Sequence, residues 1–69
     1  MTESVYKIIE LVGTSEKSWE EAARVAVETA SKTLKDLRVA EITKLDMKIE
    51  NGRITAYRAR VNVSFKYHS

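Results

Sequence analysis

The sequence contains no cysteine and no proline, and its 69 residues include only two glycines and one histidine, His68. Without cysteine, disulfides and thiolate metal sites are excluded. A single histidine cannot build a zinc site within one chain. It also leaves no Ser-His-Asp or Cys-His set for nucleophilic catalysis. We therefore expect a protein that is not an enzyme.

Long apolar runs and blocks of like charge are also missing. No apolar stretch approaches the ~20 residues of a membrane-spanning helix, and Lys7 and Glu10 interrupt the first stretch, unlike in a signal peptide. Twelve Lys and Arg stand against ten Asp and Glu, a net charge of +2. Runs of about five or more basic residues, which are typical of nucleic-acid-binding segments, do not occur. We expect a cytoplasmic protein that binds neither nucleic acid nor membrane.

What the sequence does contain favours one small folded domain spanning residues 1–69. Hydrophobic residues make up 43% of the chain, far more than in disordered segments. A chain this short buries only about 60% of the surface that its unfolded form exposes. Small folds therefore commonly depend on disulfides, metals or self-association, and here we expect self-association.

A helix is predicted from Ser18 to about Asp36. Ser18 and Glu21 have the spacing of a capping box, in which each side chain satisfies a backbone donor at the helix start. Apolar residues then recur at helical spacing, namely Trp19, Ala23, Ala26, Ala30, Leu34 and Leu37. Several of these are alanines, so the helix can lie close to the surface that it covers.

Three strands are predicted around this helix. Residues 4–12 are rich in β-branched side chains, and we expect Gly13 to form a tight turn after them. Residues 38–50 and 53–67 alternate, and Asn51-Gly52 between them is typical of a type I′ hairpin. The predicted fold is α+β, in the order β-α-β-β, with a three-stranded antiparallel sheet packed on one helix.

The hairpin turn also predicts the pairing of the last two strands. Counting outward from it places Glu50 opposite Arg53 and Leu45 opposite Arg58. One face would take the helix through Ala40, Ile42, Tyr57, Ala59, Val61, Val63 and Phe65. The other would expose Val39, Leu45, Met47, Ile49, Ile54 and Ala56, a patch typical of a subunit interface. A β-bulge would move part of this assignment.

Four segments carry a family resemblance: VYKIIELVGTS (5–15), SWEEAA (18–23), VAEI (39–42) and VNVSF (61–65). They resemble the dodecins, small flavoproteins in which twelve copies form a hollow sphere. The resemblance covers nearly the whole chain, and VGTS (12–15) is its most specific part. It implies a non-catalytic homododecamer that binds or stores a small ligand.

The resemblance also locates a ligand site. Dodecins hold stacked flavin pairs between tryptophans at the start of the second strand. A glutamine on the third strand forms hydrogen bonds with the polar edge of the flavin ring. Val39 and Arg58 occupy these positions here. Aromatic stacking contributes about 0.5–1.5 kcal/mol beyond area burial, so binding of FMN or riboflavin is expected to be weak or lost. The candidate ligand-binding residues are Val39, Glu41, Leu45, Arg58 and Arg60.

The charged residues of this site allow two other interpretations. Salt bridges between Glu41 and the two arginines would close the pocket; this is the favoured interpretation. Alternatively, the guanidinium groups would hold an anionic ligand such as a phosphate. Both interpretations place Arg58 and Arg60 on one face of the sheet.

Calcium is a further candidate, because some dodecin relatives without the stacking aromatic are described as calcium-binding. Calcium takes roughly six to eight oxygen ligands, more than any one segment of this chain offers. Asp36, Asp46 and Glu50 are the candidate metal ligands, with symmetry-related chains supplying the others. The sequence thus leaves the ligand open between flavin, calcium and an anion.

Overall fold

A computed structural model describes residues 3–67 of the chain. The elements are β1 (Tyr6–Ser15), α1 (Trp19–Ala30), β2 (Leu37–Glu50) and β3 (Arg53–Lys66). They form one antiparallel sheet in the order β1-β3-β2, with β3 in the centre. The predicted α+β fold and its β-α-β-β order are confirmed. None of the described helices is long and apolar enough to span a membrane, and His68 lies outside the described residues.

At the start of α1 the Ser18 half of the predicted capping box is confirmed, whereas the Glu21 carboxylate accepts hydrogen bonds from Arg24 and not from the Ser18 amide. The end of the helix also differs from the prediction. The Glu21 amide donates to Oγ of Ser18 at 3.0 Å. The helix ends at Ala30, so the predicted end near Asp36 is wrong. Oγ of Ser31 donates to the carbonyl of Glu28 at 2.7 Å, and turns follow over residues 31–33. Serine side chains that bond to nearby backbone favour helix ends over helix interiors.

The hairpin turn matches the prediction. Asn51 and Gly52 both have positive φ, 53° and 75°, as a type I′ turn requires. Glu50 lies opposite Arg53 in the ladder, as predicted. The turn therefore starts β2 and β3 in the expected register.

Further along, Thr55 of β3 is an extra residue opposite the step from Ile49 to Lys48 of β2, and this register shift overturns part of the predicted pairing. Leu45 lies opposite Ala59, and Asp46 takes the predicted place of Leu45 opposite Arg58. Because side chains alternate between faces, one extra residue in a strand moves the residues beyond it to the other face. Leu45 and Met47 therefore share the face of the sheet on which α1 lies, and their predicted placement on the opposite face is wrong.

The core lies between α1 and the central strand and consists of small side chains: Ala22, Ala26, Ala59, Val61 and Val63. Gly13 belongs to β1, opposite Ala59, and not to a turn as predicted. A Cβ at Gly13 would lie 1.9 Å from the carbonyl oxygen of Ala22. The glycine is needed for the close approach of helix and strand.

Candidate functional site

The face of the sheet opposite α1 carries no helix, and we call it the open face. Residues that pair directly across an antiparallel sheet project on the same side, so the register defines its members. They are Ile8, Glu10, Val12 and Thr14 of β1; Arg58, Arg60, Asn62 and Ser64 of β3; and Val39, Glu41, Lys44 and Asp46 of β2.

An apolar pocket lies at one end of the open face. It is lined by Tyr6, Ile8, Arg38, Val39, Glu41, Asn62 and Ser64. Oγ of Ser64 donates to the carbonyl of Val39 at 3.3 Å, which ties the pocket floor to β2. The Val39 side chain remains 63% exposed. The pocket thus offers an aliphatic surface with hydroxyl, amide and charged groups around it, a combination suited to a small amphipathic ligand.

Only two of the predicted ligand-binding residues line this pocket, Val39 and Glu41. Arg58 and Arg60 lie further along the open face, and Leu45 lies on the other side of the sheet. The sequence prediction missed the contributions of β1 and of the end of β3. The alternation of residues 6–14 was the available signal, but the pairing of β1 with β3 was not predictable from a nearby turn.

Arg58 pairs with Asp46 and not with Glu41. Its Nε lies 2.7 Å from Oδ1 of Asp46 and its Nη2 lies 2.9 Å from Oδ2. These hydrogen bonds lower the pKa of the Asp46 carboxyl below its usual value and raise the pKa of Arg58. The predicted salt bridges of Glu41 with the arginines are not formed among residues 3–67, because the register shift brings Asp46 opposite Arg58.

Asp46 is also held from the other side of the sheet. The indole Nε1 of Trp19 donates to the Asp46 carbonyl at 3.0 Å. The Trp19 ring meets the Tyr57 ring edge-on, with 5.2 Å between centroids and 72° between planes. The start of α1 and the Arg58 pair are therefore connected through one residue of β2.

The three predicted metal ligands lie apart. Asp36 precedes β2 with a positive φ of 61°, Asp46 is engaged by Arg58, and Glu50 lies at the hairpin end, with Oε2 3.9 Å from Nζ of Lys48. Within the described part of the chain, no three acidic or histidine side chains form a group that could hold a metal ion.

A small β-α-β-β chain with one sheet face open and a shallow pocket on it has the architecture of a binding protein. The dodecin family model matches residues 5–68. The chain therefore belongs to the dodecin family, whose members are binding proteins.

Individual relatives agree with this assignment. In sequence, the chain is 44% identical to calcium dodecin from Mycobacterium tuberculosis, over 91% of this chain and 89% of that protein. It is 37% identical to dodecin from Thermus thermophilus, over 90% of each. Dodecin from Streptomyces coelicolor has the same fold, with a TM-score of 0.92 and 32% identity over 100% of this chain and 99% of that one.

The calcium dodecin of Mycobacterium tuberculosis also has a solved structure. It matches with a TM-score of 0.83 and 45% identity, over 94% of this chain and 93% of that one. That protein is a calcium-chelating antigen with a novel calcium-binding site.

Proposed function

We propose that this protein is a non-catalytic, self-assembling binding protein of the dodecin type that takes a small ligand on its open face. One observation carries the assembly: an apolar row on β2 beside α1. Ile42 is 50% exposed, Leu45 is 50% exposed and Met47 is 40% exposed. Large apolar side chains grouped on a surface are typical of subunit interfaces, and the family favours an assembly of twelve.

Flavin binding is expected to be weak in this assembly. Val39 replaces the family tryptophan, and an exposed aliphatic side chain cannot stack on a flat ring as an indole does. Tyr6 is the one aromatic side chain of the described pocket lining. The predicted roles of Val39 and Glu41 fit the pocket; those of Arg58 and Arg60 would require a ligand that reaches along the face.

Native mass spectrometry on freshly purified protein tests this proposal. We expect a species of twelve chains that carries no flavin mass or only a minor flavin-bound fraction. A monomer at micromolar concentration would contradict the proposal, because the apolar β2 row would then have no partner. Twelve chains fully loaded with flavin would overturn the expectation of weak binding and leave the assembly intact.

A tryptophan at position 39 should restore stacking. Stacking of a base on an aromatic side chain contributes about 1–3 kcal/mol, as measured by substitution with alanine. We therefore expect Val39→Trp to tighten flavin binding by roughly five- to 150-fold. Quenching of flavin fluorescence on titration measures this. Val39→Leu keeps the site apolar without a ring and should leave the affinity unchanged. Equal affinities of Val39→Trp and Val39→Leu would show that flavin does not contact position 39.

Calcium is the second candidate ligand, favoured by the 44% identity to a calcium dodecin. The separation of Asp36, Asp46 and Glu50 within one chain means that a site would combine carboxylates of different chains. Calorimetric titration of the assembled protein with Ca²⁺, with Mg²⁺ as the control, tests it. Loss of the Ca²⁺ signal in Glu50→Gln or Asp46→Asn would support a role of these carboxylates in binding calcium. If the unmodified protein gives no signal, calcium is excluded as its ligand.

A further inference from the structure

The β2–β3 hairpin extends beyond the third strand of the sheet, and we call residues 48–55 the hairpin tip. Pairing between β1 and β3 reaches only as far as Ser15 opposite Tyr57, so the tip is a ribbon of two strands. All of its residues are exposed. Ile49 and Ile54 lie opposite each other in the ladder and are 64% and 52% exposed. Two-stranded ribbons of this kind are marginally stable in water.

The ladder is also interrupted within the tip. Thr55 is an extra residue between the Ile49–Ile54 pair and the next pair of the ladder. Its Oγ1 donates to the carbonyl of Lys48 at 3.4 Å, which is long for a hydrogen bond. Because a bulge disrupts the ladder locally, the end of the hairpin can open while the rest of the sheet stays paired.

Asn51 and Gly52 lie at this end, and their polar groups are free. Among residues 3–67, the Asn51 carboxamide forms no hydrogen bond, and no backbone carbonyl accepts one from the Gly52 amide. Apart from its chain neighbours, nothing lies within 4 Å of a Cβ built on Gly52. The space around the Gly52 backbone is therefore open to the carboxamide that precedes it.

We propose that Asn51 is a site of spontaneous deamidation, in which the Gly52 amide nitrogen attacks the Asn51 side chain when the hairpin tip opens. The five-membered ring that forms requires a rotation about the Cα–C bond of Asn51 that a type I′ turn does not have. The turn must therefore open first, and the weak ladder of the tip is what allows it. This inference concerns the chemistry of the chain and depends neither on a ligand nor on the proposed assembly.

The reaction needs only water and hydroxide. Hydroxide removes the proton of the Gly52 amide, and the nitrogen forms a bond to Cγ of Asn51. The bond from Cγ to Nδ2 breaks, and Nδ2 takes up a proton and leaves as ammonia. Water then opens the cyclic imide: addition at Cγ gives aspartate, and addition at the main-chain carbonyl carbon gives isoaspartate. No atom is oxidised or reduced.

The two products affect the hairpin differently. Aspartate keeps the main chain unchanged and tolerates the positive φ of this position, 53°, so the turn is kept. Isoaspartate routes the main chain through Cβ and Cγ, and the extra carbon does not fit a two-residue turn. Both products place a new carboxylate next to Glu50. We expect only isoaspartate to release the Glu50–Arg53 pair that closes the ladder.

Incubation of the purified protein in mildly alkaline buffer, followed by peptide mapping with mass spectrometry, tests the proposal. We expect Asn51 to lose its amide progressively. Asn62 is the internal control, because it lies in the central strand, paired with Glu10 on one side and Glu41 on the other, and the branched side chain of Val63 crowds the nitrogen that would attack. Asn62 should keep its amide over the same period.

The same incubation in urea measures the rate in the unfolded chain. Because the tip opens without global unfolding, we expect the folded protein to convert Asn51 at no less than about one tenth of the urea rate. If Asn51 keeps its amide in the folded protein, the tip does not open and the inference is overturned. Conversion of Asn62 as fast as Asn51 in the folded protein would also overturn it.

Two variants serve as matched controls. Asn51→Gly keeps a residue that accepts positive φ but has no amide to lose, so ion-exchange chromatography should show no new acidic species. Acidic species that form equally fast in Asn51→Gly would come from elsewhere and would overturn the assignment to Asn51. Circular dichroism reports whether this variant keeps the fold.

Asn51→Asp carries the charge of the products on an unchanged main chain. Hydrogen exchange of the amides in the tip should be as slow in Asn51→Asp as in the fresh protein, and faster in the isoaspartate fraction of the aged protein. Equal exchange in the isoaspartate fraction and Asn51→Asp would overturn the predicted opening of the turn. Native mass spectrometry of the fresh protein tests the proposed assembly independently of all these results.

Discussion

At the scale of single residues, the absence of one side chain decides how close α1 lies to the sheet. Gly13 has no Cβ, and one built there would lie 1.9 Å from the Ala22 carbonyl oxygen and 3.0 Å from the Ala26 Cβ. The first distance is far inside van der Waals contact, and its partner is backbone, which cannot rotate away. Packing in the core thus depends on a residue that contributes no apolar surface of its own.

Gly13→Ala should destabilise the fold by at least about 1–3 kcal/mol, the usual cost of overpacking, measured by urea unfolding. Gly52→Ala is the matched control, because nothing lies within 4 Å of a Cβ there and only the φ of +75° opposes the change. We expect it to cost about 1–2 kcal/mol from backbone strain alone. Adding Ala22→Gly should not rescue Gly13→Ala, since the clash involves a carbonyl. Rescue would contradict the packing described.

A second single-residue prediction concerns the pH dependence of the Asp46–Arg58 pair. The pKa of Asp46 is lowered in the folded state by the hydrogen bonds from Arg58. The pair therefore contributes stability above the ordinary Asp pKa of about 3.9, and this contribution is lost as the pH falls through the lower folded value. Asp46→Asn should lower the melting temperature slightly at pH 7, because both partners are exposed.

The melting-temperature difference between Asp46→Asn and the unmodified protein should shrink below about pH 3.9. Arg58→Gln should show the same loss and the same pH dependence, since it removes the other half of the pair. A difference that stays constant with pH would mean that the ion pair does not stabilise the fold.

At the scale of elements, Trp19 connects the start of α1 to the half of β2 that lies nearest the hairpin turn. Its indole N–H donates to the Asp46 carbonyl, and its ring meets Tyr57. The Ser18 cap places Trp19 at the first helical residue, from which its side chain reaches back over the sheet. The helix is thus attached at its beginning to a strand that its apolar face scarcely covers.

Trp19→Phe should isolate the contribution of this hydrogen bond. Phenylalanine keeps an aromatic edge toward Tyr57 but has no donor, so the Asp46 carbonyl loses its indole partner. We expect a loss of about 0.5–1.5 kcal/mol in the free energy of unfolding. Trp19→Ala removes the ring as well and should cost more. Equal stability of Trp19→Phe and the unmodified protein would show that the bond makes no net contribution.

At the scale of the whole molecule, the helix is too short to cover the sheet. The 12 residues of α1 span about 18 Å at 1.5 Å per residue, whereas the 14 residues of β2 span about 45 Å at 3.3 Å per residue. The described residues accordingly extend 53 × 21 × 16 Å. The uncovered length carries Ile42, Leu45 and Met47, and a second chain is the simplest cover for them.

Leu45→Asp should therefore break the assembly, because a carboxylate would be buried without a partner in the proposed interface. Size-exclusion chromatography should show a smaller species whose circular dichroism remains that of the folded chain. Leu45→Met keeps the site apolar and should assemble normally. Full assembly of Leu45→Asp would place Leu45 outside every interface and remove the main support for the proposed function.

The features that the sequence predicted correctly depend on neighbours along the chain. The Ser18 cap, the Asn51-Gly52 turn and the order of the elements follow from residues within a few positions of one another. The resemblance to dodecins is equally local, since it rests on short contiguous segments. Together these were sufficient for the fold and the family.

The composition of the candidate site depended on contacts between distant parts of the chain. The register shift at Thr55 of β3 arises from the pairing of β2 with β3, and it exchanges Leu45 for Asp46 as the neighbour of Arg58. The arrangement of Glu10 and Glu41 around Asn62 requires β1 and β2 to flank β3. A register shift of one residue moves every side chain beyond it to the opposite face of the sheet. The alternating sequence pattern of the strand is compatible with either register. Only the assembled sheet distinguishes these registers.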